Sequence, residues 1–586
     1  MIILIKIFKY LNKKQWIQIL LSLVFIVTQV FLDLKIPDYM SKITMYVESP
    51  GHTVSDIIGE GKWMLLCAFG SLLSAIIVGY LASKISASFS KNLRSRIFSK
   101  VESFSMKEIN EFSTASLITR STNDITQIQM VIVIGLQILI KAPIMAVWAI
   151  TKIYNKGFEW TMATAVTVLV LIVFVAILMV MVMPKFRMMQ TLTDNINRIL
   201  RENLTGLAVI RAYNSEDYRE GKFDEANIDL TRTQLFTSRA MSTLFPMINF
   251  SMSMLTLVIY FIGAGLINAA QMMDKYVLFS NMVVFSSYAM QVIMSFMMMS
   301  MIFIMVPRAE ISAKRINEVL DTELSIKDGN LDSSNEDYEY EIEFDDVSFK
   351  YTDSEQYILQ NIDFKVKKGE KVAIIGSTGS GKSTILNLLL RFYDATEGVV
   401  KIQGVDIKQY KLKFLYEKIA AVLQKSFLFK GDIKSNISFG DENTDTEMVE
   451  EAADTSQSME FIDKFDDKFD HEIAQLGKNV SGGQKQRLSI ARAIYRKPDI
   501  FLFDDSFSAL DFKTDSELRH QLKTNNPDST TIVVAQRVGS IMDSDQIIVI
   551  ENGQIVGIGK HKDLLKNCEV YKEIAYSQLT EEELNA

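Results

Sequence analysis

Six long apolar stretches in the first half of the chain restrict its fold more than any other feature. Each is long enough to cross the hydrocarbon core of a bilayer as a helix. They lie at about residues 16–40, 62–84, 129–154, 160–183, 243–269 and 276–306. We therefore predict an α-helical transmembrane domain with six spans over residues 1–307, in contact with a lipid bilayer.

The connections between these stretches predict how the chain is oriented in the membrane. About 45 residues separate the second and third stretches and nearly 60 separate the fourth and fifth, whereas the other connections are short. The long connections hold most of the basic residues, among them Arg94, Arg96, Arg198 and Arg201. By the positive-inside rule the long connections, both termini and the soluble part are cytoplasmic, and the chain is a multi-pass protein of the cell (plasma) membrane.

Composition indicates that a soluble part follows the apolar one. Hydrophobic residues make up 48% and charged residues 23% of the 586 residues, and the net charge of −8 gives no reason to expect nucleic acid as a partner. A basic helix and an acidic, turn-rich run make residues 308–341 a predicted linker. Alternating strands and helices then predict an α/β domain at 342–579, with a short tail at 580–586.

Two features within the apolar stretches are candidates for a substrate cavity. Lys141 lies inside the third stretch, where a cation is either functional or paired for structural reasons, and both readings stay open. The sixth stretch is rich in methionine and aromatic side chains, which repack around varied apolar ligands, although helix packing also explains them. The candidates are Lys141 in the third stretch and Phe285, Tyr288, Met294 and Met298 in the sixth, whose stripe also includes Met290, Phe296, Met297, Met299, Met301 and Met305.

A glycine-rich turn between an apolar run and a helical segment predicts a phosphate-binding loop. Its glycines let backbone N–H groups converge on phosphate oxygens, and the helix N-terminus adds partial positive charge. Lys382 is expected to reach the β- and γ-phosphates of ATP, and Ser383 to hold Mg²⁺. The predicted ATP-binding residues here are Gly376, Ser377, Thr378, Gly379, Ser380, Gly381, Lys382, Ser383 and Thr384.

Further motifs stand in a fixed order around this loop. They are Tyr351, Gln424, the run Ser481, Gly482, Gly483 and Gln484, then Asp504 after an apolar strand, and Asp511. In this order they make the soluble half resemble the nucleotide-binding domain of an ABC transporter, and almost the whole chain resembles an ABC exporter half-transporter. The predicted fold class is therefore a six-span α-helical transmembrane domain followed by an α/β P-loop NTPase domain of the ABC type.

The resemblance implies a role for each motif. Tyr351 is expected to stack on adenine, and Asp504, Ser383 and Gln424 to bind Mg²⁺. The run from Ser481 to Gln484 is expected to act on ATP held by the opposite domain, with Asp511 in the loop that crosses the interface. ATP and Mg²⁺ are the implied cofactors, and a second ABC half-transporter is the implied partner, because such ATP sites form only in a dimer.

Two residues depart from the family pattern at the hydrolytic positions. Asp505 stands where the family has a glutamate that polarises the attacking water, and Gln536 stands where it has a histidine near the γ-phosphate. The aspartate side chain is one methylene shorter, and glutamine carries neither a proton nor a positive charge. We therefore expect this site to bind ATP and Mg²⁺ but to hydrolyse slowly, as in the degenerate-site subunit of a heterodimeric bacterial multidrug exporter.

The predicted function is ATP-driven export of amphipathic or apolar small molecules, by a subunit whose partner supplies the active site. A homodimer stays possible. Two alternatives also stay open, which are a lipid or peptide exporter of the same family and a regulatory ATP-binding membrane protein. Segments near 105–125 and 203–225 are expected to couple the ATPase domain to the membrane helices.

Overall fold

The structure is a computed structural model that describes residues 6–49, 51–154, 157–335, 337–352 and 354–585. The chain divides into two compact units. The first comprises Met1–Glu102 and Ala115–Thr322, and the second comprises Ser103–Thr114 and Glu323–Ala586. A short segment from the N-terminal half of the chain therefore belongs to the C-terminal unit.

Helices form almost all of the first unit. Their bounds are Lys13–Glu48 (α1), Val54–Glu102 (α2), Met106–Phe112 (α3, which lies in the second unit), Thr114–Ser121 (α4), Asn123–Ile134 (α5), Lys141–Tyr154 (α6), Phe158–Thr205 (α7), Leu207–Ala212 (α8), Glu216–Ser242 (α9), Leu244–Ala269 (α10) and Met272–Asp321 (α11). A π-helical turn, Gly135–Leu139, joins α5 to α6. Four helices of this unit exceed 35 residues, and their length allows them to continue beyond a bilayer.

Within the described residues, six helical segments are long and apolar enough to cross a membrane. This confirms the predicted six-span domain. Large apolar side chains such as Val180 and Phe261 are 76% and 80% exposed. Exposure of so many apolar groups is unfavourable in water, so these faces are suited to lipid.

Among the described residues of the first unit, two ion pairs join α6 to α1. The Nζ atom of Lys141 is 3.0 Å from Oδ2 of Asp33, and Nζ of Lys152 is 2.6 Å from Oδ2 of Asp38. The hydroxyl of Tyr288 donates hydrogen bonds to Asp38 and to the Leu34 carbonyl. Lys141 is thus paired with Asp33, and neither Asp33 nor Asp38 of α1 was among the predicted residues.

In the part of the chain that the structure describes, the second unit contains sheets of six, four and two strands and a set of shorter helices. The strands are Ile342–Phe349 (β1), Leu359–Val366 (β2), Lys371–Gly376 (β3), Glu397–Ile402 (β4), Val405–Asp406 (β5), Ile419–Val422 (β6), Gly431–Asp432 (β7), Glu472–Ile473 (β8), Ile500–Asp504 (β9), Thr530–Val534 (β10), Gln546–Glu551 (β11) and Gln554–Gly559 (β12). The helices are Lys382–Leu389 (α12), Leu412–Lys418 (α13), Ile433–Ile437 (α14), Thr446–Thr455 (α15), Met459–Ile462 (α16), Gly482–Tyr495 (α17), Phe512–Asn525 (α18), His561–Asn567 (α19), Glu569–Tyr576 (α20) and Glu581–Asn585 (α21).

The larger sheet places the site. Its strand order is β12-β11-β3-β10-β9-β6, and β3 lies between β10 and β11 with all three parallel. The central strands are apolar along most of their length, because the sheet is covered on both faces, and their polar residues, such as Lys371 and Asp504, stand at strand ends. A second, antiparallel sheet has the order β2-β1-β4-β5. Its buried side chains share one hydrophobic core with Val372 and Ile374 of β3. This confirms the predicted α/β fold of the soluble half.

The segment Ser103–Thr114 is held within the second unit by polar contacts of α3. The Glu108 side chain caps α3 through the Ser105 N–H and accepts a hydrogen bond from the Ser325 N–H at 3.0 Å. Asn110 Nδ2 donates to the Tyr393 hydroxyl at 3.2 Å. These contacts join a helix of the N-terminal half to the domain that holds the glycine loop.

The Lys141–Asp33 pair gives a first testable prediction. Lys141→Leu leaves a carboxylate that is 21% exposed among apolar helices, so we expect a loss of about 1–3 kcal/mol in stability and a lower thermal midpoint in detergent. Adding Asp33→Asn to that variant removes the unpaired charge and should recover part of the loss. Lys9→Leu breaks a pair with Asp321 in which both side chains are about half exposed, and should cost less than about 1 kcal/mol. Equal losses for the two lysine variants would contradict the pairing.

Candidate functional site

The glycine loop lies at the carboxyl end of β3, where only glycine fits at two of its positions. A Cβ atom on Gly376 would lie 2.0 Å from the Ile550 carbonyl oxygen of the neighbouring strand. Gly381 has a φ of +98°, and a Cβ there would lie 2.6 Å from a methyl carbon of Leu359. Strand packing and left-handed backbone therefore determine the path of the loop before α12 begins.

Polar groups in this loop fit a ligand rich in anionic oxygens. Lys382 Nζ donates to the carbonyl oxygens of Gly376 and Ser377, at 2.9 and 2.7 Å, and so lies over the loop. Burial lowers the pKa of Lys382. The Ser380 hydroxyl is buried without a hydrogen-bond partner. An unpaired hydroxyl, a cation and the N-terminus of α12 together suit the phosphates of a nucleotide.

A hydroxyl and a carboxylate meet beside the loop and suit Mg²⁺. The Ser383 Oγ atom donates to Oδ1 of Asp504 at 3.0 Å, because β9 ends at Asp504 two strands from the end of β3. Burial raises the pKa of Asp504, and Ser383 opposes that rise. Oxygen ligands of this kind are those that Mg²⁺ takes in proteins, so Ser383 and Asp504 would hold the ion. Gln424 is exposed after β6 and lies near Asp505, whose pKa it lowers.

The two residues that depart from the family pattern contact each other. Gln536 Nε2 donates to Oδ2 of Asp505 at 2.9 Å. Asp505 has a left-handed backbone, with φ +48°, and its N–H donates to the Val534 carbonyl at 2.9 Å. Burial raises the pKa of Asp505, whereas hydrogen bonds from Gln424 and Ser508 oppose the rise. The sequence placed both residues at the site but did not indicate their contact.

Tyr351 lies half-buried beside the helix that follows the glycine loop. Its ring packs edge-on against Phe349 and Tyr393, with centroids 4.9 and 5.1 Å apart. Its hydroxyl is 3.3 Å from Oγ1 of Thr384, the last predicted residue of the loop. The predicted stacking of adenine on Tyr351 stays a prediction. The ring lies beside the start of α12, next to the predicted phosphate-binding loop.

The predicted signature and interface residues lie at the exposed starts of two helices. Ser481 caps α17, with its Oγ accepting from the Gln484 N–H and its own N–H donating to Gln484 Oε1. Gly482 is exposed, and a Cβ on Gly483 would lie 3.4 Å from the Ala509 carbonyl. Asp511 caps α18 through the Thr514 N–H, and that hydrogen bond holds its pKa low. Their predicted action across a dimer interface stays a prediction.

In the part of the chain that the structure describes, the predicted cavity residues of the membrane domain differ in their surroundings. Phe285 and Tyr288 are fully buried, Phe285 against Trp160, and Lys141 is paired with Asp33. Met294 is 41% exposed and Met298 is half-buried. A cavity of about 400 Å³ lies between α7, α10 and α11, with an apolar lining of Leu171, Ile172, Val175, Ala176, Met179, Ile248, Ile293, Phe296, Met297 and Met299. The methionine stripe therefore reaches a cavity, but through Phe296, Met297 and Met299.

Comparisons with known proteins agree with this geometry. A family model for the ABC transporter transmembrane region matches residues 17–296, and one for the ABC transporter matches residues 359–508. An uncharacterised ABC transporter ATP-binding protein of Mycobacterium bovis is 35% identical over 528 residues, which cover 89% of this chain and 88% of the relative. The uncharacterised ABC transporter ATP-binding protein YfiB of Bacillus subtilis is 32% identical over 565 residues, 96% of each chain.

A solved structure shares the fold of both parts of the chain. It is that of a bacterial Atm1-family ABC exporter with ATP bound, at a TM-score of 0.77 and 22% sequence identity. The match covers 96% of this chain and 98% of that one. The membrane helices and the ATPase domain therefore have the architecture of an exporter in which both parts belong to one polypeptide.

Substitution in the glycine loop tests whether this site binds nucleotide. Gly376→Ala places a methyl group against the β11 backbone, so we expect the loop to shift and the affinity for a fluorescent ATP analogue to fall by about tenfold or more. Gly539→Ala is the matched control, because a Cβ there meets nothing within 4 Å. Unchanged affinity in Gly376→Ala, or an equal loss in Gly539→Ala, would count against this loop as the phosphate site.

Proposed function

Because this chain belongs to the ABC transporter family, we propose that it is one half of a dimeric exporter that uses ATP to move amphipathic or apolar compounds out of the cell. Its membrane helices and ATPase domain are fused in one polypeptide, as in a half-transporter, and it is a multi-pass membrane protein. An ATPase domain of this family implies ATP binding, and exporters of the family function as dimers. In the proposed orientation the ATPase domain and both termini are cytoplasmic.

The Asp505–Gln536 hydrogen bond carries the proposal of a slow ATP site on this chain. Hydrolysis needs a carboxylate that reaches and polarises the attacking water. Asp505 is one methylene shorter than glutamate, and one of its oxygens accepts from Gln536 Nε2. A displacement of about 1 Å at such a position can cost about a hundredfold in rate. Gln536 also supplies no positive charge to a γ-phosphate.

The intact remainder of the site supports a heterodimer. Lys382, Ser383 and Asp504 have the geometry for nucleotide and metal, and Ser481 caps an exposed helix start. In the proposed assembly, the run Ser481 to Gln484 of this chain completes a fast site on a second half-transporter. That partner would carry glutamate and histidine at the two substituted positions.

The lining of the membrane cavity supports an apolar or amphipathic substrate. All ten of its lining residues are apolar, and the charges of Lys141 and Lys152 on α6 are paired with aspartates. Methionine and phenylalanine adapt to varied ligand shapes, which suits multidrug transport. The same lining would accept lipid acyl chains, so a lipid exporter is the second candidate. The low polarity of the lining gives no support to a peptide substrate.

Repair of the two substituted residues tests the slow site. We expect the dimer purified from this chain alone to hydrolyse ATP slowly, and Asp505→Glu combined with Gln536→His to raise its turnover by about ten- to a hundredfold. The measurement is phosphate release from reconstituted protein whose dimeric state is checked by native mass spectrometry. Lys382→Ala in the repaired protein is the control and should abolish the gain.

Two outcomes would contradict the slow-site proposal. One is rapid hydrolysis by the unrepaired dimer that Asp505→Ala does not reduce. The other is a repaired dimer that binds ATP but gains no turnover. Rapid hydrolysis would also remove the argument for a heterodimer, since each copy would then hold a competent site.

Substitution in the cavity tests the substrate class. Phe296→Ala removes the largest side chain of the lining and should raise the concentration of an apolar dye needed for half-maximal stimulation of ATPase by about tenfold. Phe261 is 80% exposed, so Phe261→Ala is the matched control and should leave that half-maximal dye concentration unchanged. Stimulation by phospholipid but by no dye would favour a lipid exporter, and ATP binding without stimulation by either would favour a regulatory protein.

A further inference from the structure

A side chain near the C-terminus holds the backbone that carries Gln536. The Gln578 amide makes two hydrogen bonds to residues 536–538, which follow β10. The Val538 N–H donates to Gln578 Oε1 at 2.8 Å, and Gln578 Nε2 donates to the Gln536 carbonyl oxygen at 2.8 Å. The one amide therefore pairs with a backbone donor and acceptor two residues apart, as an adjacent strand would.

Gln578 is itself held in place by the turn that follows α20. The N–H groups of Gln578 and Leu579 both donate to the Ala575 carbonyl, at 3.1 and 3.0 Å. Ala575 and Tyr571 of α20 are fully buried in the same hydrophobic core as Val538. The turn and the backbone it contacts are thus packed on one core.

The chain after Gln578 is anchored as well. Leu584 of α21 is 1% exposed, and its carbonyl oxygen accepts from Nε2 of the buried His561 at 3.1 Å. The other ring nitrogen of His561 is 2.7 Å from the Tyr571 hydroxyl. With Nε2 donating, Nδ1 accepts from that hydroxyl. His561 therefore joins α20 to α21 on either side of Gln578.

Gln536 is consequently fixed at two points. Its carbonyl oxygen is held by Gln578, and its side-chain amide donates to Asp505 at 2.9 Å. The neighbouring Arg537 is held too, with Nη2 donating to the Ser508 carbonyl at 3.1 Å. Gln536 is exposed, so burial in the core does not hold it. The position of its side chain therefore depends on these two hydrogen bonds.

We infer that Gln578 is a positioning residue, through which the C-terminal segment 569–585 sets the place of Gln536 beside Asp505 and nucleotide. The inference rests on the proposed function only in that Gln536 serves the ATP site of this chain. The C-terminal segment thereby slows the dissociation of nucleotide as well as stabilising the domain. No feature of the sequence near Gln578 indicated this part.

Amide hydrogen exchange tests the contact itself in the full-length transporter. Gln578→Ala should raise the exchange rate of the Val538 amide by about three- to tenfold, the range that loss of one partly exposed hydrogen bond gives. Gln578→Glu keeps an acceptor for that amide and should leave its exchange close to wild type. Gln521→Ala, at a half-buried glutamine whose Nε2 donates to Glu517 of its own helix at 3.2 Å, is the control and should leave the exchange of the Val538 amide unchanged. Unchanged exchange in Gln578→Ala overturns the inference.

A double-mutant cycle tests whether Gln578 acts through Gln536. The readout is the dissociation rate of N-methylanthraniloyl-ATP, which does not depend on how fast this site hydrolyses. Gln578→Ala and Gln536→Ala should each speed dissociation by about three- to tenfold, and the double variant should be no faster than Gln536→Ala. Gln578→Glu, which retains one of the two contacts, should fall between wild type and Gln578→Ala.

The outcomes separate this inference from the proposed slow site. If the increases in dissociation rate of the two single variants multiply in the double variant, Gln578 acts by stability alone. That result would overturn the inference, whatever the hydrolysis rate. A non-additive cycle sustains it even if the unrepaired dimer hydrolyses rapidly, in which case only the slow-site proposal fails.

Discussion

The parallel register of β3, β10 and β9 is the constraint on which the site depends. Val534 pairs with Ile374 on one side and with Asp504 on the other, so the three carboxyl ends meet at one edge. At that edge β3 leads into the glycine loop with Lys382, β9 ends at the Asp504–Asp505 pair, and β10 is followed by Gln536. The glycine loop precedes the other two elements by more than a hundred residues in the chain, and the three become one site because the strands are buried in this order.

Much of this arrangement could be predicted from the sequence, because its signals are local. The glycine loop lies between a buried strand and a helix, and six apolar stretches predict six apolar helices, as found. The hydrogen bonds from Gln536 to Asp505 and from Gln578 to Gln536 were beyond prediction. They depend on strand register and on the packing of a C-terminal turn, and neither leaves a periodic pattern.

The membrane helices show a different limit of prediction. Methionine and aromatic residues cover several faces of α11, so the sequence did not separate the core side chains Phe285 and Tyr288 from the cavity side chains Phe296 and Met297. An amphipathic pattern makes that distinction in water-soluble helices, and it is lost where lipid and core are both apolar. Polar residues were better guides, since pairing was one of the two readings left open for Lys141, and its partner is Asp33.

The placement of Ser103–Thr114 in the second unit makes the two parts of the chain interlaced, not consecutive. A fragment that begins at Glu323 would lack α3, and would leave the Ser325 N–H and the Tyr393 hydroxyl without the partners that Glu108 and Asn110 supply. Gene fusions that exchange ATPase domains between transporters would therefore have to carry this helix along. The unit that can be exchanged therefore includes α3, although α3 precedes most of the membrane helices in the sequence.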